Sequence, residues 1–390
     1  MPPLFFQHYW ESIGVDVVKA VVSCLNSTSI ESGLNHTFIS LIPKVKNPEY
    51  VTEFRPIALC NILYNLVSKV LANRLKKVLP HIIFESQSAF QSDKAISDNI
   101  LVAFETLHHM KRKKSGKMGY MALKLDMSKA YDRLEWVFLQ RIMEKMGFHS
   151  TWIGWIMECV KSVTYSILVN GEPKGHIIPT RGIRQGDPLS SYLFLLCSEG
   201  LNGLIEHAID RKLIEGVSLC RNGPKISHLL FADDSLLFYR ARVGDIEKIQ
   251  ELLGKYERAS GQKINSNKTT LFFSSNTSYA TKEEIKNLLR VSKIKEYKRY
   301  LGLPAVVGRR KKASLNYIKD RVWGKLQGWK EKNLSQAGKE VLLKAVVQAI
   351  PNFAMSCFRL PIGLCQDIEM LIRKFWWGQR GDRRKIHWAK

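Results

Sequence analysis

The stretch His228-Leu-Leu-Phe-Ala-Asp-Asp-Ser-Leu-Leu-Phe238 places two adjacent acids inside an apolar run. The apolar residues on both sides predict a buried β-hairpin with Asp233 and Asp234 at its tip. Two carboxylates that are buried together need a cation to neutralise them, and a divalent metal ion is the simplest one. A third acid, Asp126, ends another apolar run that begins at Tyr120. The pattern therefore predicts a metal site, with an Asx turn as the alternative interpretation of an isolated Asp-Asp pair.

The composition indicates a basic globular chain. Its 390 residues allow one large domain or two to three medium ones, and a hydrophobic fraction of 45% is enough for a substantial core. The chain has 60 Lys and Arg against 35 Asp and Glu, a formal net charge of +25. This excess favours a polyanionic partner, although a solvated basic surface would look the same in sequence.

The cysteines and the apolar segments bear on the cellular context. The 7 cysteines are scattered, and no pair has the Cys-x-x-Cys spacing of a zinc site. An odd number in apolar surroundings fits the reduced thiols of an intracellular protein, in the nucleus or the cytoplasm. The N-terminus lacks the charged and apolar regions of a signal peptide, and no run of about 18 apolar residues predicts a membrane span.

Apolar periodicity predicts a mixed order of helices and strands. Helices are predicted at 4–30, 61–79, 96–110, 131–146, 189–212, 245–260 and 280–290, with Pro80 ending the second of them. Strands are predicted at 38–43 and 120–126, and hairpins around Asn47-Pro48, 166–171 and the acidic pair. After Pro304 the sequence is basic and helical in pattern, so we place a domain boundary near 305.

The three acids suit nucleotidyl transfer, in which a primer hydroxyl attacks the α-phosphorus of a nucleoside triphosphate. Two Mg²⁺ ions, roughly 4 Å apart, activate the attacking oxygen and hold the leaving pyrophosphate in such reactions. Asp126 and Asp233 are the predicted bridging ligands, with Asp234 beside them. Asp132 is predicted to be an acid of a helix N-terminus rather than a ligand.

Tyr131 and the loop around Gln185 are predicted to contact the nucleotide. The Tyr131 ring can lie beneath the incoming sugar and exclude a 2′-hydroxyl, which favours dNTPs, although ordinary packing at a helix start is the alternative. Gln185 offers a polar side chain to the nascent base pair, and Gly186 permits a close backbone approach. A plain turn followed by an N-cap at Asp187 would use the same residues.

Four lysines and arginines are candidates for phosphate contacts. Lys44 and Arg55 lie on the predicted hairpin around Asn47-Pro48 and are predicted to bind the triphosphate, although surface charges would look alike. Lys268 is the candidate that protonates pyrophosphate, with Lys263 as its competitor. The basic loop at 111–117 fits either a phosphate contact or a solvated turn.

An ordered series of motifs resembles the reverse transcriptases of non-LTR (LINE-type) retrotransposons, the plant variety above all. The motifs are Leu41-Ile-Pro-Lys44, Phe54-Arg-Pro-Ile-Ala-Leu59, Gln87-Ser-Ala-Phe90, Lys124-Leu-Asp-Met-Ser-Lys-Ala-Tyr-Asp132, Gly182-Ile-Arg-Gln-Gly-Asp-Pro-Leu-Ser190, Phe231-Ala-Asp-Asp234 and Tyr300-Leu-Gly-Leu-Pro304.

The resemblance implies an α+β right-hand polymerase with fingers, a palm that contains an antiparallel sheet, and a helical thumb. The expected segments are an N-terminal helical extension at 1–36, fingers and palm at 37–305, and a basic thumb at 306–390. The main-chain carbonyl of Met127 joins the three acids as an implied metal ligand. Two Mg²⁺ ions, for which Mn²⁺ can substitute, an RNA template, a DNA primer and dNTPs are the implied cofactors and partners.

Some positions depart from the family pattern. The family usually has Gly-Arg where this chain has Asp93-Lys94, and often has Pro where Ser191 stands. Whole elements of this kind usually carry an endonuclease and often a ribonuclease H domain, so we expect the chain to be a fragment of a longer polyprotein.

Other functions stay open at this point. A viral-type RNA-dependent RNA polymerase shares the architecture, but Tyr131 argues against it. A group II intron maturase-like reverse transcriptase is a second relative. A catalytically decayed retrotransposon relic that still binds nucleic acid is the alternative from a different class.

Overall fold

The computed structural model describes residues 2–31, 33–220, 223–291, 299–308, 311–330 and 334–377. Helices and a mainly antiparallel set of strands alternate through these ranges, which confirms the predicted α+β class. The contacts divide the chain into two compact units, residues 1–94 with 113–294, and residues 95–112 with 295–390. The segments predicted from sequence motifs, 1–36, 37–305 and 306–390, stay a prediction.

The strands are β1 (His36–Pro43), β2 (Phe54–Leu59), β3 (Tyr120–Leu125), β4 (Thr164–Val169), β5 (Glu172–Ile177), β6 (Val217–Ser218), β7 (Lys225–Ile226), β8 (His228–Phe231), β9 (Asp234–Arg240) and β10 (Thr270–Phe273). The helices are α1 (Pro3–His8), α2 (Trp10–Ser27), α3 (Ile62–Ile82), α4 (Ile96–Arg112), α5 (Trp136–Lys145), α6 (Ser150–Lys161), α7 (Ser190–Asp210), α8 (Val243–Ser260), α9 (Tyr279–Leu288), α10 (Lys311–Leu315), α11 (Tyr317–Lys330), α12 (Gln336–Leu342), α13 (Ala349–Met355) and α14 (Ile362–Trp376).

One antiparallel sheet of the first unit carries the acidic hairpin. Its strand order is β10-β3-β9-β8, and Leu125 of β3 pairs with Ser235 of β9. Helices α7 and α8 cover the sheet with apolar side chains, among them Leu201, Ile205, Ile246, Ile249 and Leu253. Because this face is buried, the register of the strands is fixed. The strand ends therefore hold the acids at a defined edge of the sheet.

A second sheet of the same unit has the order β2-β1-β4-β5. Strand β1 runs antiparallel to β2 and parallel to β4. The turn between β4 and β5 is Asn170-Gly171, and both residues have positive φ, 53° and 85°. Two such residues favour a two-residue hairpin turn. The hairpins predicted around Asn47-Pro48 and at 166–171 are thus confirmed.

Several helix boundaries differ from the prediction, and the helix predicted at 4–30 is divided into α1 and α2. Pro80 lies inside α3, which continues to Ile82, because a proline in the last turn removes only one hydrogen bond of a helix that is already ending. The helix predicted at 131–146 begins at Trp136. Residues 128–135 form turns instead, so Asp132 lies before the helix and on a cleft rather than at its N-terminus.

The second unit is helical in its described part. Its apolar core includes Leu303, Leu315, Val322, Leu326 and Leu364. Helix α4 belongs to this unit, and the Tyr300 hydroxyl donates to Oδ1 of its Asn99 at 2.7 Å. The predicted helical pattern after Pro304 is therefore confirmed for 311–330 and 334–377. In the described ranges, the helices are all too short or too polar to cross a bilayer.

Candidate active site

A cleft of about 990 Å³ in the first unit is lined by most of the predicted site residues. It lies between the β2-β1-β4-β5 sheet and the end of β3. The predicted residues on its wall are Lys44, Arg55, Asp126, Met127, Tyr131, Gln185, Gly186, Asp233 and Lys268. Asp234 is not part of this wall, although it adjoins Asp233 in the hairpin. Residues that are up to 224 positions apart in sequence therefore share one concave surface.

Strand pairing brings the acids to one edge. Asp126 follows Leu125, the last residue of β3. Leu125 pairs with Ser235 of β9, and Asp234 is the residue directly before Ser235. Phe231 pairs with Asp234 across a two-residue turn formed by Ala232 and Asp233. Ala232 has a φ of 52°, the left-handed region that non-glycine residues rarely adopt. The predicted hairpin is confirmed, with Asp233 at its tip and Asp234 at the first position of β9.

The charges at this edge act on one another. Burial raises the pKa of Asp233, the negative charges of Asp234 and Asp126 add to the increase, and Lys124 opposes it. Lys124 Nζ lies 2.8 Å from Asp234 Oδ1, and Lys268 Nζ lies 3.8 Å from Asp126 Oδ2. Cationic groups thus already stand beside two of the three acids.

The donor set suits a divalent cation, but it is not gathered into a closed cage. Across the described ranges, no cluster of three or more Asp, Glu, His or Cys side chains is arranged to hold a metal ion. Burial, and then the charges of Asp234 and Asp126, raise the pKa of Asp233, and a bound cation would oppose both effects. Met127 pairs with Ile264 in an isolated bridge and lines the cleft beside Asp126. A metal bound by Asp234 would compete with its ion pair to Lys124.

Tyr131 forms a flat part of the cleft wall. Its ring stacks on Phe194, with the centroids 5.2 Å apart and the planes at 6°. Its hydroxyl forms a hydrogen bond with Ser191, and burial raises the pKa of Tyr131. Ser191 is the position at which the family pattern often has Pro. The Ser191 hydroxyl and the Phe194 ring thus both contact Tyr131.

The Gln185-Gly186 loop is laid against β2. The Gln185 carbonyl accepts from the Ala58 N–H at 2.8 Å. Gly186 has a φ of 114°, and a Cβ at this position would lie 2.9 Å from the Ala58 oxygen. Only glycine permits this close approach without strain. The backbone of the loop is therefore held flat at the cleft wall.

A buried network anchors this loop from inside. Arg184 donates to Asn35 Oδ1 at 2.5 Å and to the Cys159 carbonyl at 3.0 Å. Asp187 accepts from the Tyr64 hydroxyl at 2.6 Å and from the Leu189 N–H at 2.9 Å. The bond from Leu189 closes a turn before α7, whose N-cap residue is Leu189 without a side-chain cap, so Asp187 is not the N-cap that the alternative interpretation proposed. The Arg184 guanidinium is engaged here and does not project toward a nucleotide.

The basic residues differ in how firmly they are placed. Lys44 Nζ donates to the Thr52 carbonyl at 3.0 Å, which holds its ammonium near the turn between β1 and β2. Arg55 lies opposite Ile42 in the same pair of strands. Lys268 lines the cleft with a side chain that is 70% exposed. Its competitor Lys263 is not part of the cleft wall, and its main-chain carbonyl accepts from the Ser128 N–H.

The sequence interpretation missed three contributors to the site. Lys124 lies two residues before Asp126, so strand alternation alone could have placed them on the same face. Ser191 and Gln87 give no such local signal. Gln87 contacts the acidic hairpin across 145 residues of sequence.

Comparison with known proteins shows that residues 42–305 match the family described as "Reverse transcriptase (RNA-dependent DNA polymerase)". The Xenopus laevis "Transposon TX1 uncharacterized 149 kDa protein" is 28% identical over 266 residues, which are 68% of this chain and 20% of that protein. The Drosophila melanogaster "Retrovirus-related Pol polyprotein from type-2 retrotransposable element R2DM" is 27% identical over 230 residues, 58% of this chain and 20% of that protein. The chain thus spans about a fifth of these two relatives.

Two further matches differ in kind. An uncharacterized mitochondrial protein of Arabidopsis thaliana is 52% identical over 68 residues, 17% of this chain and 56% of that protein. Among solved structures, apo telomerase from Candida tropicalis superposes with a TM-score of 0.48 at 13% identity, over 95% of this chain and 67% of that one. The predicted relation to non-LTR retrotransposon proteins is confirmed by the sequence matches.

Proposed function

This chain belongs to the reverse transcriptase (RNA-dependent DNA polymerase) family, and from that premise we propose that it adds dNTPs to a primer 3′-hydroxyl on an RNA template. The observation that carries the proposal is the single cleft that collects Asp126 and Asp233 with Tyr131, Gln185 and Gly186. In this proposal each of these residues faces a different part of one nucleotide. An arrangement made by chance would not bring these residue types to one wall.

Asp126 and Asp233, with Asp234 and the Met127 carbonyl, are the proposed ligands of two Mg²⁺ ions, for which Mn²⁺ can substitute. Bound there, the metal would lower the pKa of the primer hydroxyl and neutralise the charge of the leaving pyrophosphate. Lys124 and Lys268 partly neutralise the carboxylates in the meantime. These two ion pairs offset part of the repulsion among the acids.

The other residues of the cleft orient the nucleotide. Tyr131, which stacks on Phe194, is the residue that we propose to support the sugar and to exclude a 2′-hydroxyl. Gln185 and Gly186 lie against the nascent base pair, and the backbone at Gly186 is close enough to β2 to stay rigid.

The proposed phosphate contacts use the exposed cations. Lys44 and Arg55 are the candidates for the triphosphate, since both line the cleft on the β1–β2 pair. Lys268 is the proposed proton donor to pyrophosphate, because its ammonium lies near Asp126 and remains exposed. We assign fingers and palm to 37–305 and a thumb to 306–390, with a helical extension at 1–36.

The proposed partners are an RNA template and a DNA primer. A formal net charge of +25 favours binding of their phosphates, which supplies affinity without reading the sequence. Binding is therefore expected to weaken as salt increases.

Primer extension tests the proposal. The purified chain is given an RNA template, a DNA primer, Mg²⁺ and either dNTPs or NTPs, beside Asp233→Asn and the matched control Asp210→Asn at the exposed end of α7. The proposal predicts extension with dNTPs only, lost in Asp233→Asn and kept in Asp210→Asn. Salt-sensitive duplex binding without any extension would instead identify a folded, catalytically decayed relic.

A further inference from the structure

Gln87 reaches the acidic hairpin from a loop between α3 and α4. Its side chain is fully buried. Its Oε1 accepts from the Ala89 N–H at 3.0 Å and from the Ala232 N–H at 3.2 Å, and its Nε2 donates to Ser198 Oγ at 3.4 Å. Backbone N–H groups can only donate, so the atom that faces both of them must be the amide oxygen. The orientation of the Gln87 amide is therefore fixed by its partners.

The Ala232 N–H belongs to the turn that presents Asp233. Ala232 is held at a φ of 52° without the freedom of a glycine. Such backbone is maintained only where its surroundings determine it. The hydrogen bond that Ala232 N–H donates to Gln87 Oε1 therefore holds the residue directly before Asp233. A change at Gln87 should therefore alter the position of that carboxylate.

The loop that carries Gln87 is itself locked to the hairpin. Leu230 N–H donates to the Ser86 carbonyl at 2.8 Å, and Ser88 N–H donates to the Leu230 carbonyl at 3.1 Å. These two bonds extend the sheet beyond β8 by one short parallel bridge between Gln87 and Leu230. The loop thus acts as a fixed base from which the Gln87 side chain reaches the turn.

Lys94 closes the same loop from the other end. Its Nζ donates to the carbonyls of Phe84, Glu85 and Gln87 at 3.3, 3.1 and 3.0 Å. This is the position at which the chain departs from the Gly-Arg of its family. The Lys94 ammonium binds all three carbonyls. The lysine at this position, where the family usually has arginine, therefore stabilises the loop.

We propose that Gln87 is a positioning residue for Asp233, which acts through the Ala232 N–H and holds the hairpin turn in place before metal or substrate binds. The inference deepens the proposed function, because the carboxylate it positions is a proposed metal ligand. Gln87 itself does not line the cleft, and its effect passes through the backbone of the turn.

Hydrogen–deuterium exchange of the metal-free protein tests this placement without any catalysis. Gln87→Met keeps the length and apolar stem but removes the strong acceptor. Gln87→Glu keeps the acceptor, and burial of the new carboxyl favours its protonated, neutral form. Gln91→Met is the matched control. The Gln91 amide donates to the Gln87 carbonyl at 2.8 Å, so its removal loosens the loop but leaves the Gln87 side chain in place. Gln87→Met is expected to speed exchange in peptides that cover 229–236 about tenfold. Gln87→Glu and Gln91→Met are expected to stay near the wild-type rate there.

The reference is the β4–β5 hairpin, where exchange should not change. If Gln87→Met speeds exchange in the β4–β5 hairpin too, the first unit has loosened as a whole. Gln87→Asn, which retracts the amide by one methylene, is then compared with the wild type in place of Gln87→Met. Equal exchange of the 229–236 peptides in the wild type and Gln87→Met would overturn the proposal. So would an increase in Gln91→Met as large as that in Gln87→Met.

Primer extension separates positioning from stability. Positioning predicts a lower kcat in Gln87→Met with little change in the KM for dNTP, and recovery in Gln87→Glu. A loss of folded protein alone would lower the active fraction in proportion to the fraction unfolded. If the wild type does not extend a primer, the proposed function fails, while the exchange comparison still decides whether Gln87 holds the turn.

Discussion

Arg184 and Asp187 form an ion pair of 3.0 Å, and each of the two side chains is 3% exposed. They flank Gln185 and Gly186 in sequence, so the pair fixes both ends of the segment that lines the cleft. The Tyr64 hydroxyl donates a hydrogen bond to Asp187. The Tyr64 ring lies against the Arg184 guanidinium, whose carbon is 3.9 Å from the ring centroid. The proposed nucleotide contacts of Gln185 and Gly186 would therefore depend on this buried pair of charges.

Asp187→Asn should destabilise the first unit. The substitution leaves the Arg184 charge buried without its partner, which typically costs about 3 kcal/mol or more. Chemical denaturation of the wild type and the variant gives the difference in free energy of unfolding. Asp210→Asn, an exposed change of the same chemistry, should stay within about 0.5 kcal/mol of the wild type. Equal stability of Asp187→Asn and wild type would contradict the role assigned to the pair.

Gly186→Ala should lower kcat/KM for dNTP incorporation. The new Cβ would meet the Ala58 oxygen at 2.9 Å, and the φ of 114° is strained for alanine, so the loop must leave β2. Gly203→Ala is the matched control, because an added Cβ in that helical position meets no atom within 4 Å. The control should gain up to about 1 kcal/mol of stability and keep its activity. Single-nucleotide kinetics of both variants distinguish loop displacement from general sensitivity to alanine.

Tyr131→Val should weaken the preference for dNTPs over NTPs. Removing the ring opens the space in which the proposed sugar contact excludes a 2′-hydroxyl. Tyr131→Phe keeps the ring and its stacking on Phe194 but loses the hydrogen bond to Ser191, so it should keep most of the preference. The ratio of kcat/KM for dNTP and NTP measures the effect. An unchanged ratio in Tyr131→Val would remove Tyr131 from the sugar site.

His228 should make the protein less stable in acid. Burial lowers the pKa of His228 to about 4, from an unfolded value near 6.5. Between these values the unfolded chain binds a proton that the folded chain does not, so the free energy of unfolding falls as pH decreases. The contribution is on the order of 3 kcal/mol by pH 4, reduced by any attraction to Glu206.

Denaturation of the wild type and His228→Asn from pH 7 to pH 4 measures this contribution. Neutral His228 forms a 2.6 Å hydrogen bond with Asn202 Oδ1 and a 2.9 Å hydrogen bond with Ser227 Oγ. The variant should be less stable at pH 7 but lose less stability on acidification. A parallel decline of the two proteins would show that other groups cause the acid sensitivity.

The sheet that carries the acids could be predicted from sequence because its signal is local. Leu236, Leu237 and Phe238 are all fully buried, and a short continuous apolar run is typical of a strand covered on both faces. The turn at Asn170-Gly171 carries its own chemistry in the same way. The helix expected at 131–146 was wrong at its start, because tertiary contacts hold residues 128–135 in turns. Among these contacts, the Glu135 N–H donates to the Ser260 carbonyl and the Tyr131 carbonyl accepts from the Ile183 N–H.

The supports of the site could not be predicted, because they join distant segments. Asp187 meets Tyr64 across 123 residues and Ala232 meets Gln87 across 145. No periodicity or spacing reports such pairs in a single sequence. The proposed metal ligands, by contrast, could be named from the sequence, because an acid in an apolar run needs a compensating charge if it is buried.

Single-turnover incorporation of one dNTP tests the central claim most directly. Wild type and Asp126→Asn are compared on the same RNA template and DNA primer with Mg²⁺, after binding of the duplex has been matched between them. The account predicts incorporation by the wild type and none by Asp126→Asn at equal duplex occupancy. Incorporation at the wild-type rate by Asp126→Asn would contradict the assignment of this cleft as the polymerase active site.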